Sequence, residues 1–318
     1  MKYCIAMDGG GTKTDAVLFD ETGKILALET GPGSNVTDLG EEESRTRVLD
    51  VFQRVLRRGP DRVDALYGAI AGAIVNGDPY SGTILGTGRI GTSRIEDDGP
   101  SILSSTLGLA DGCAMICGTG SSLFVRIEGE PLRHIGGKGY LIDTGGSGFE
   151  LGRDAIRTAL RAADGRIPPT ALTGYLEEII GESVDDHLIP ILHHRGRAYI
   201  ASLAPAVFRA REDGDPAAIG IFERQSALLA DLTYPAARFF PGGFPVVIGG
   251  GIAAHYPEYV EAIREKCEPR AKLIASTAPP LFGAAVLALH DAGTGETEAF
   301  RTRFLADLDR LTGRRSGS

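Results

Sequence analysis

Long apolar runs, paired cysteines and excess positive charge are all lacking from this chain of 318 residues. No segment approaches the roughly 18 consecutive apolar residues of a membrane-spanning helix, so we expect no membrane partner. The four cysteines are too few for a disulfide framework. A net charge of −9 argues against a nucleic-acid partner. The opening MKYCIAM shows no signal-peptide pattern, and we therefore expect a cytoplasmic protein.

Glycine, in contrast, is abundant, and the 44 glycines are clustered. The first cluster is DGGGTKT, residues 8–14. Its glycines let backbone N–H groups converge on an anion, Thr12 and Thr14 add hydroxyl donors, and Lys13 adds charge. Asp8 follows an apolar strand and is able to hold Mg²⁺ directly or through water. The segment predicts a phosphate loop or, alternatively, a glycine-rich hairpin that Asp8 caps, while its spacing excludes a Walker A loop.

The order of predicted elements indicates an α/β fold that repeats itself. Up to residue 73, apolar runs and turn residues predict a strand, a hairpin, a helix and another strand. After residue 98 the pattern restarts, because ICGTGSSLFVRIEGEPLRHIG has the same layout as MDGGGTKTDAVLFDETGKILALE. We predict two related lobes, residues 1–110 and 111–318, with a final helix at about 296–318 that packs back on the first lobe.

The repeat predicts a second loop of glycines and hydroxyls, CGTGSS at residues 117–122. Two such loops would clamp a polyphosphate, although each alone is also typical of an ordinary hairpin. A third cluster, residues 249–251, follows the apolar run FPVVI. It would let a flat ligand such as a purine lie on the backbone, or it forms a tightly packed turn from a strand to a helix.

In this order the three clusters resemble the phosphate-1, phosphate-2 and adenosine motifs of the actin-like ATPase superfamily. The segments GGKGYLIDTGGSGFELGRDAI and APPLFGAAVLAL narrow the resemblance to the BadF/BadG/BcrA/BcrD-type ATPase family, on its N-acetylglucosamine kinase branch. The resemblance covers nearly the whole chain. It implies an α/β fold of two actin-like (ribonuclease H-like) lobes, with mixed sheets flanked by helices and an ATP cleft between them. It also implies a homodimer that phosphorylates a small amino sugar with ATP.

The resemblance also assigns cofactor and catalytic residues. The residues implied in ATP binding are Gly9, Gly10, Gly11, Thr12, Lys13, Thr14, Gly118, Thr119, Gly120, Ser121, Gly249, Gly250 and Gly251. Asp8 is implied as the Mg²⁺ ligand. Family members have a catalytic aspartate at a strand end, roughly twenty residues before the first glycine of the second phosphate loop, which is Gly118 here. Here Asp97 and Asp98 are offered and the spacing favours Asp98 as the base, although two acids before Gly99 and Pro100 are also typical of a solvated turn.

At the residues implied in sugar binding, this sequence departs from the pattern of the family that it resembles. The residues implied in sugar binding are Asn35, Asp98, Thr119, Gly136, Gly137, Lys138, Asp143 and Thr144. Lys138 stands where the family pattern has Trp, and Thr144 and Gly145 stand where it has Asp-Glu, so that Asp143 would have to replace the missing Asp. Such a pocket is roomier and less negative. We therefore predict 6-phosphorylation of N-acetylglucosamine, N-acetylmuramate or both, with glucosamine as the alternative.

Two alternatives are not kinases. Some members of the wider family that the chain resembles are redox activases of 2-hydroxyacyl-CoA dehydratases, which hold an iron–sulfur cluster with cysteines from each subunit. Cys113 and Cys117, four residues apart in an apolar strand, would be the candidates here. The Cys-Ala-Ala-Gly-Thr-Gly run of the activases is missing, however, and buried inert thiols are the preferred interpretation. An ATP-binding sensor would keep the nucleotide motifs but would need neither Asn35 nor Asp98. His134 is a candidate for lining the sugar pocket, and no two histidines have the spacing of a zinc site.

Overall fold

The structure is a computed structural model, and it describes residues 1–73, 78–143, 145–191, 193 and 196–313. Packing separates the chain into two compact units: residues 1–111 together with 276–318, and residues 112–275. The sequence predicted a second lobe of residues 111–318 whose final helix, at about 296–318, packs back on the first lobe. The packing agrees for this final helix, and it also groups the preceding residues from 276 onward with the first unit.

The first unit contains a five-stranded mixed sheet in the order β3-β2-β1-β4-β5. Its strands are β1 (Tyr3–Gly9), β2 (Lys13–Asp20), β3 (Ile25–Pro32), β4 (Val63–Ile70) and β5 (Ile90–Glu96). Its first helices are α1 (Val36–Leu39), α2 (Glu41–Leu56), α3 (Ser81–Gly86) and α4 (Gly99–Leu107). β2 pairs antiparallel with β1 and β3, whereas β4 runs parallel to β1 and β5. The predicted strand, hairpin, helix and strand are thus confirmed.

The second unit repeats this topology, since its sheet has the order β8-β7-β6-β9-β10. Its strands are β6 (Gly112–Cys117), β7 (Ser121–Arg126), β8 (Arg133–Ile135), β9 (Phe244–Gly249) and β10 (Ala271–Ala275). Again the first three strands pair antiparallel, and the fourth runs parallel to the first and to the fifth. The internal repeat predicted from the two glycine loops is therefore a repeat of structure, and the α/β prediction is confirmed.

Helices pack on the second sheet through one apolar core. They are α5 (Gly148–Ala163), α6 (Ala171–Ile180), α7 (Leu188–Pro190), α8 (Gly196–Ser202), α9 (Pro205–Glu212), α10 (Pro216–Asp231), α11 (Thr233–Ala236), a 3₁₀ turn (Ala237–Phe239), α12 (Gly251–His255) and α13 (Pro257–Arg264). Every second residue of β6 points into this core, and these are Cys113, Met115 and Cys117. α10 ends before Pro235, as a proline in a helical pattern predicts.

The last two helices explain why the end of the chain belongs to the first unit. They are α14 (Pro280–Asp291) and α15 (Glu298–Thr312). β1 is buried on both faces, with Ile5 and Met7 packed in the core that α2 covers and Cys4 in the core that α14 and α15 cover. The Phe304 ring of α15 meets Phe19 edge-on at 5.2 Å. Without α14 and α15, one apolar face of the first sheet would be exposed to water.

Candidate functional site

In the first unit, the phosphate-1 loop (residues 9–14) and the loop that follows β3 are fixed to each other. The Gly10 carbonyl accepts hydrogen bonds from the N–H groups of Ser34 and Asn35, at 2.9 and 3.2 Å. Thr14 is fully buried, and its hydroxyl donates to the Pro32 carbonyl at 2.9 Å. Thr14 therefore holds the loop in place, whereas Thr12 is exposed.

The glycines of these loops fall into two groups. A Cβ atom on Gly33 would lie 2.2 Å from the Gly11 carbonyl oxygen, and one on Gly9 would lie 2.4 Å from Ser34 Oγ. Close packing alone explains these two glycines. Around Gly10, in contrast, nothing lies within 4 Å of an added Cβ. Packing does not require glycine at this position, whereas the approach of a ligand to the backbone would.

Asn35 belongs to a chain of contacts that ends at Asp97. Asn35 Oδ1 accepts hydrogen bonds from the Thr37 N–H at 2.9 Å and from the Thr37 hydroxyl at 2.6 Å. Gly72, at φ 80°, packs so closely on Thr37 that a Cβ would lie 3.2 Å from the Thr37 hydroxyl oxygen. The Gly72 N–H donates to Asp97 Oδ1 at 2.7 Å. The carboxylate of Asp97 is thereby positioned beside the Asn35 loop.

Asp97 and Asp98 occupy different environments although they are neighbours. Asp97 is buried, with 4% of its surface exposed, whereas Asp98 is only partly buried and is the N-cap residue of α4. The Asp98 carbonyl accepts hydrogen bonds from the Ser101 hydroxyl and the Ile102 N–H. The solvated turn suggested by Gly99 and Pro100 is therefore the first turn of a helix. Both aspartates lie at the end of β5, as predicted.

Asp8 lies at the end of β1, directly opposite Asp15 of β2 in the strand register. Burial raises the pKa of Asp8 to about 7, and the nearby Asp15 carboxylate adds to this effect while Lys13 opposes it. Lys13 Nζ forms an ion pair with Asp15 Oδ2 at 2.5 Å. The positive charge predicted for phosphate binding is thus shared with a neighbouring carboxylate.

In the second unit, the phosphate-2 loop (residues 118–121) contacts both α5 and the glycines after β9. The Gly148 N–H donates to the Gly118 carbonyl at 2.8 Å, and the Phe149 N–H to the Thr119 carbonyl at 3.2 Å. A Cβ on Gly250 would lie 2.5 Å from the Cys117 carbonyl oxygen, whereas Gly251 has no such neighbour within 4 Å. The fold therefore brings the phosphate-2 and adenosine motifs together, and tight packing explains Gly250 but not Gly251.

The segment that connects β8 to α5 contains most of the predicted sugar residues. Gly136 and Gly137 both have φ 65°, in the left-handed region that favours glycine. Lys138 is exposed, and its Nζ donates to the His134 carbonyl at 3.4 Å. Asp143 is exposed as well, and its N–H donates to the Gly139 carbonyl at 2.9 Å. Thr144 lies outside the described residues.

A buried hydrogen-bond network that no motif revealed holds the end of this segment. The Gly146 N–H donates to Gln225 Oε1 at 2.8 Å, and Gln225 Nε2 donates to Asp154 Oδ2 at 2.8 Å. Burial opposes ionisation of Asp154, but hydrogen bonds from Arg224 and Gln225 overcome it and lower its pKa. The Tyr259 hydroxyl donates to the Gly146 carbonyl at 3.2 Å. The backbone of Gly146 is thus fixed on both sides.

Cys113 and Cys117 lie in an apolar core, and the His134 ring packs against an aromatic side chain. Burial raises the pKa values of Cys113 and Cys117 to about 12, so their thiols stay protonated inside the core. This burial argues against the iron–sulfur alternative. The His134 ring stacks on Phe124 at 4.4 Å, and burial lowers its pKa to about 4, with a further contribution from Lys138.

No group of three or more His, Cys, Asp or Glu side chains within the described residues has the arrangement of a metal site. Among the helices of the described ranges, none is both long and apolar enough to span a membrane.

Two units of one topology, each with a glycine and hydroxyl loop between its first two strands, are the architecture of the actin-like ATPase superfamily, which includes sugar kinases. The chain belongs to the BadF/BadG/BcrA/BcrD ATPase family, whose model matches residues 5–288. This confirms the resemblance found in the sequence.

Three similar proteins extend over most of the chain. An N-acetyl-D-glucosamine kinase of Dictyostelium discoideum is 30% identical, with 90% of this chain and 97% of the relative covered. An N-acetylmuramic acid/N-acetylglucosamine kinase of Clostridium acetobutylicum is 30% identical, with 68% of this chain and 72% of the relative covered. The crystal structure of a Chromobacterium violaceum protein, provisionally named as an N-acetylglucosamine kinase, has a TM-score of 0.72 at 25% identity. The match covers 91% of this chain and 99% of that protein.

Proposed function

We propose that this protein is an ATP-dependent kinase that phosphorylates an amino sugar at its 6-hydroxyl group. The observation that carries the proposal is the pair of hydrogen bonds from Ser34 and Asn35 to the Gly10 carbonyl. They fix a loop of phosphate-binding character to a loop that presents an amide suited to sugar hydroxyls. A protein that only senses ATP needs no such pairing. The names of the Dictyostelium and Clostridium relatives support an amino sugar as acceptor.

The nucleotide is proposed to bind through backbone N–H groups and hydroxyls of the two phosphate loops and through Gly251. The candidates for contact with the nucleotide are glycines that packing does not require and threonines that are not buried. They are Gly10, Thr12, Thr119 and Gly251. Gly9 and Gly250 shape the loops by close packing. Positioning and neutral donors of this kind make up much of the catalysis of phosphoryl transfer.

Asp8 is proposed to hold Mg²⁺. The residues fit such an ion, because Asp8 is a partly buried carboxylate opposite a second carboxylate, Asp15, and a hydrated dication would relieve the cost of charging Asp8 there. When bound, Mg²⁺ neutralises phosphate charge. Asp8 would supply the carboxylate that holds the ion.

The catalytic base is proposed to be one of the two adjacent aspartates. The resemblance favoured Asp98, but the contact of Asp97 with Gly72, next to the Asn35 loop, makes Asp97 the better-positioned candidate. In the step itself, the sugar oxygen forms a bond to the γ-phosphorus while the bond from that phosphorus to the β-phosphate oxygen breaks. The hydroxyl proton passes to the carboxylate, and ADP leaves.

For the acceptor we propose both N-acetylglucosamine and N-acetylmuramate. Lys138 places an exposed ammonium group in the sugar segment, where it would favour the lactyl carboxylate of N-acetylmuramate. Glucosamine, whose ammonium group Lys138 would repel, is the weaker candidate. The cytoplasmic location and the homodimer remain predictions.

ADP release tests the proposal. Purified protein with ATP and Mg²⁺ would be supplied in turn with N-acetylglucosamine, N-acetylmuramate, glucosamine and glucose. We expect ADP release only with an N-acetylated amino sugar, and mass spectrometry and NMR would locate the new phosphate at the 6-position. Sugar-independent ADP release, or binding of ATP without turnover of any sugar, would favour an ATP sensor instead.

A further inference from the structure

Arg197, in the first turn of α8, lies against the phosphate-2 loop of the same unit. A Cβ atom added to Gly120 would lie 3.5 Å from Nη1 of Arg197 and 4.0 Å from its Cζ. The guanidinium group is therefore close to the Gly120 backbone, inside the loop whose glycines and hydroxyls are typical of phosphate binding. No motif of the sequence singles out this arginine.

Close packing of α5 on α8 sets the position of Arg197. A Cβ on Gly152 would lie 1.9 Å from the Ile200 carbonyl oxygen, and one on Gly148 would lie 3.4 Å from the Ala201 Cβ. The two helices thus meet backbone to backbone, which only glycine at position 152 permits. Because the Gly148 N–H also bonds to the Gly118 carbonyl, α5 fixes the loop and the helix that carries Arg197 in one arrangement.

An aromatic ring supports the guanidinium group. Arg197 Cζ lies 5.5 Å from the centre of the Tyr140 ring, and that ring in turn meets Phe149 edge-on at 5.0 Å. A ring face attracts a cation and so holds the guanidinium group beside the loop. The side chain of Arg197 is partly buried, which limits the entropy lost when it binds.

We infer that Arg197 binds a phosphate group of the nucleotide at the phosphate-2 loop, an inference that rests on the proposed kinase function. The guanidinium group stays charged and offers a fork of donors that matches two phosphate oxygens. It adds positive charge to a loop in which Thr119, Ser121 and the backbone supply only neutral donors. An acidic amino sugar is the other source of such an anionic group, through its carboxylate.

Nucleotide affinities of Arg197→Gln and Arg197→Lys test this inference. Dissociation constants for ADP and for adenosine would be measured by calorimetry or by displacement of a fluorescent nucleotide. We expect Arg197→Gln to weaken ADP binding by about ten- to a hundredfold, because a charge-assisted hydrogen bond is lost, with adenosine binding unchanged. Arg197→Lys should recover part of the loss. Arg209→Gln is the matched control, since Arg209 also lies over a tyrosine ring, Tyr175, and forms a surface ion pair with Glu178.

Each result separates the possibilities. Unchanged ADP affinity, or an equal loss for ADP and adenosine, overturns the inference, since the second result reports a general disturbance of the unit. A raised KM for N-acetylmuramate with unchanged KM for N-acetylglucosamine and unchanged ADP affinity assigns Arg197 to the sugar carboxylate and also overturns it. Failure of the unmodified protein to bind ADP would overturn the proposed kinase function itself.

Discussion

The Asp97 carboxylate accepts a 2.7 Å hydrogen bond from the backbone N–H of Gly72. Gly72 packs on Thr37, and Thr37 donates both its N–H and its hydroxyl to Asn35. A buried carboxylate and the amide proposed to bind sugar are therefore linked within one unit, through hydrogen bonds at each end and the close packing of Gly72 on Thr37 between them. Proton transfer from a bound hydroxyl requires this kind of fixed geometry between base and acceptor.

Substitution of each aspartate by asparagine distinguishes the two candidate bases. We expect Asp97→Asn to lower kcat by about 10² or more, because a base of the correct geometry is lost while the amide oxygen keeps the bond from Gly72. Asp98→Asn, at the start of α4, should cost much less. Steady-state kinetics with saturating sugar and ATP would measure both. The reverse order of effects would assign the base to Asp98, as the sequence resemblance implied.

Asn35 has a structural and a proposed functional role, and two substitutions separate them. Asn35→Asp keeps the oxygen that accepts from Thr37 but removes the amide donors, so we expect a thermal stability close to that of the unmodified protein. The sugar KM should rise about tenfold or more, since a hydroxyl loses its donor. Asn35→Ala should show the same KM effect and, through the lost helix cap, a stability loss of about 1 kcal/mol. Unaltered sugar KM in both variants would remove Asn35 from the acceptor site.

Gln225 is predicted to position the sugar segment. Gln225→Ala leaves the Gly146 N–H and the Asp154 carboxylate without their bridging partner, so we expect a loss of unfolding free energy of about 1–3 kcal/mol. The sugar KM should also rise while the ATP KM changes little. Chemical denaturation and kinetics would test both effects, with the exposed Gln53 of α2 as a control substitution. A loss of stability with unchanged KM values would make the network structural only.

The low pKa of His134 predicts a pH dependence of stability. The folded protein keeps this ring neutral down to about pH 4, whereas an unfolded histidine takes up a proton near pH 6.5. The unfolded chain therefore binds more protons between these values, and stability should fall as the pH drops from about 6.5 towards 4, by about 1–3 kcal/mol. Denaturation of the unmodified protein and of His134→Gln at several pH values measures the difference. Equal pH dependence in the two proteins would contradict the assignment.

The two phosphate loops could be predicted from local sequence patterns, whereas features that depend on contacts between distant residues could not. The loops at Gly10 and Gly118 could be identified because adjacent residues form them and the chain repeats them. The role of Gln225 could not, because its partner Gly146 is 79 residues away in the sequence and no motif marks the pairing. Likewise, α14 joins the first unit because it covers an apolar sheet face, a long-range requirement that its own sequence does not show.

Lys138 should decide between acidic and neutral acceptors. Its ammonium group is exposed in the sugar segment and held only by the long bond of 3.4 Å to the His134 carbonyl among the hydrogen bonds of the described residues. An exposed charge pair is worth up to about 1 kcal/mol, so Lys138→Ala should raise the KM for N-acetylmuramate about three- to fivefold and leave that for N-acetylglucosamine unchanged. Lys138→Glu should raise it further, because the sign of the local charge is reversed. High salt should reduce all of these differences, since screening weakens exposed charge pairs. Identical effects on neutral and acidic sugars would show that Lys138 shapes the segment and does not read the charge of the acceptor.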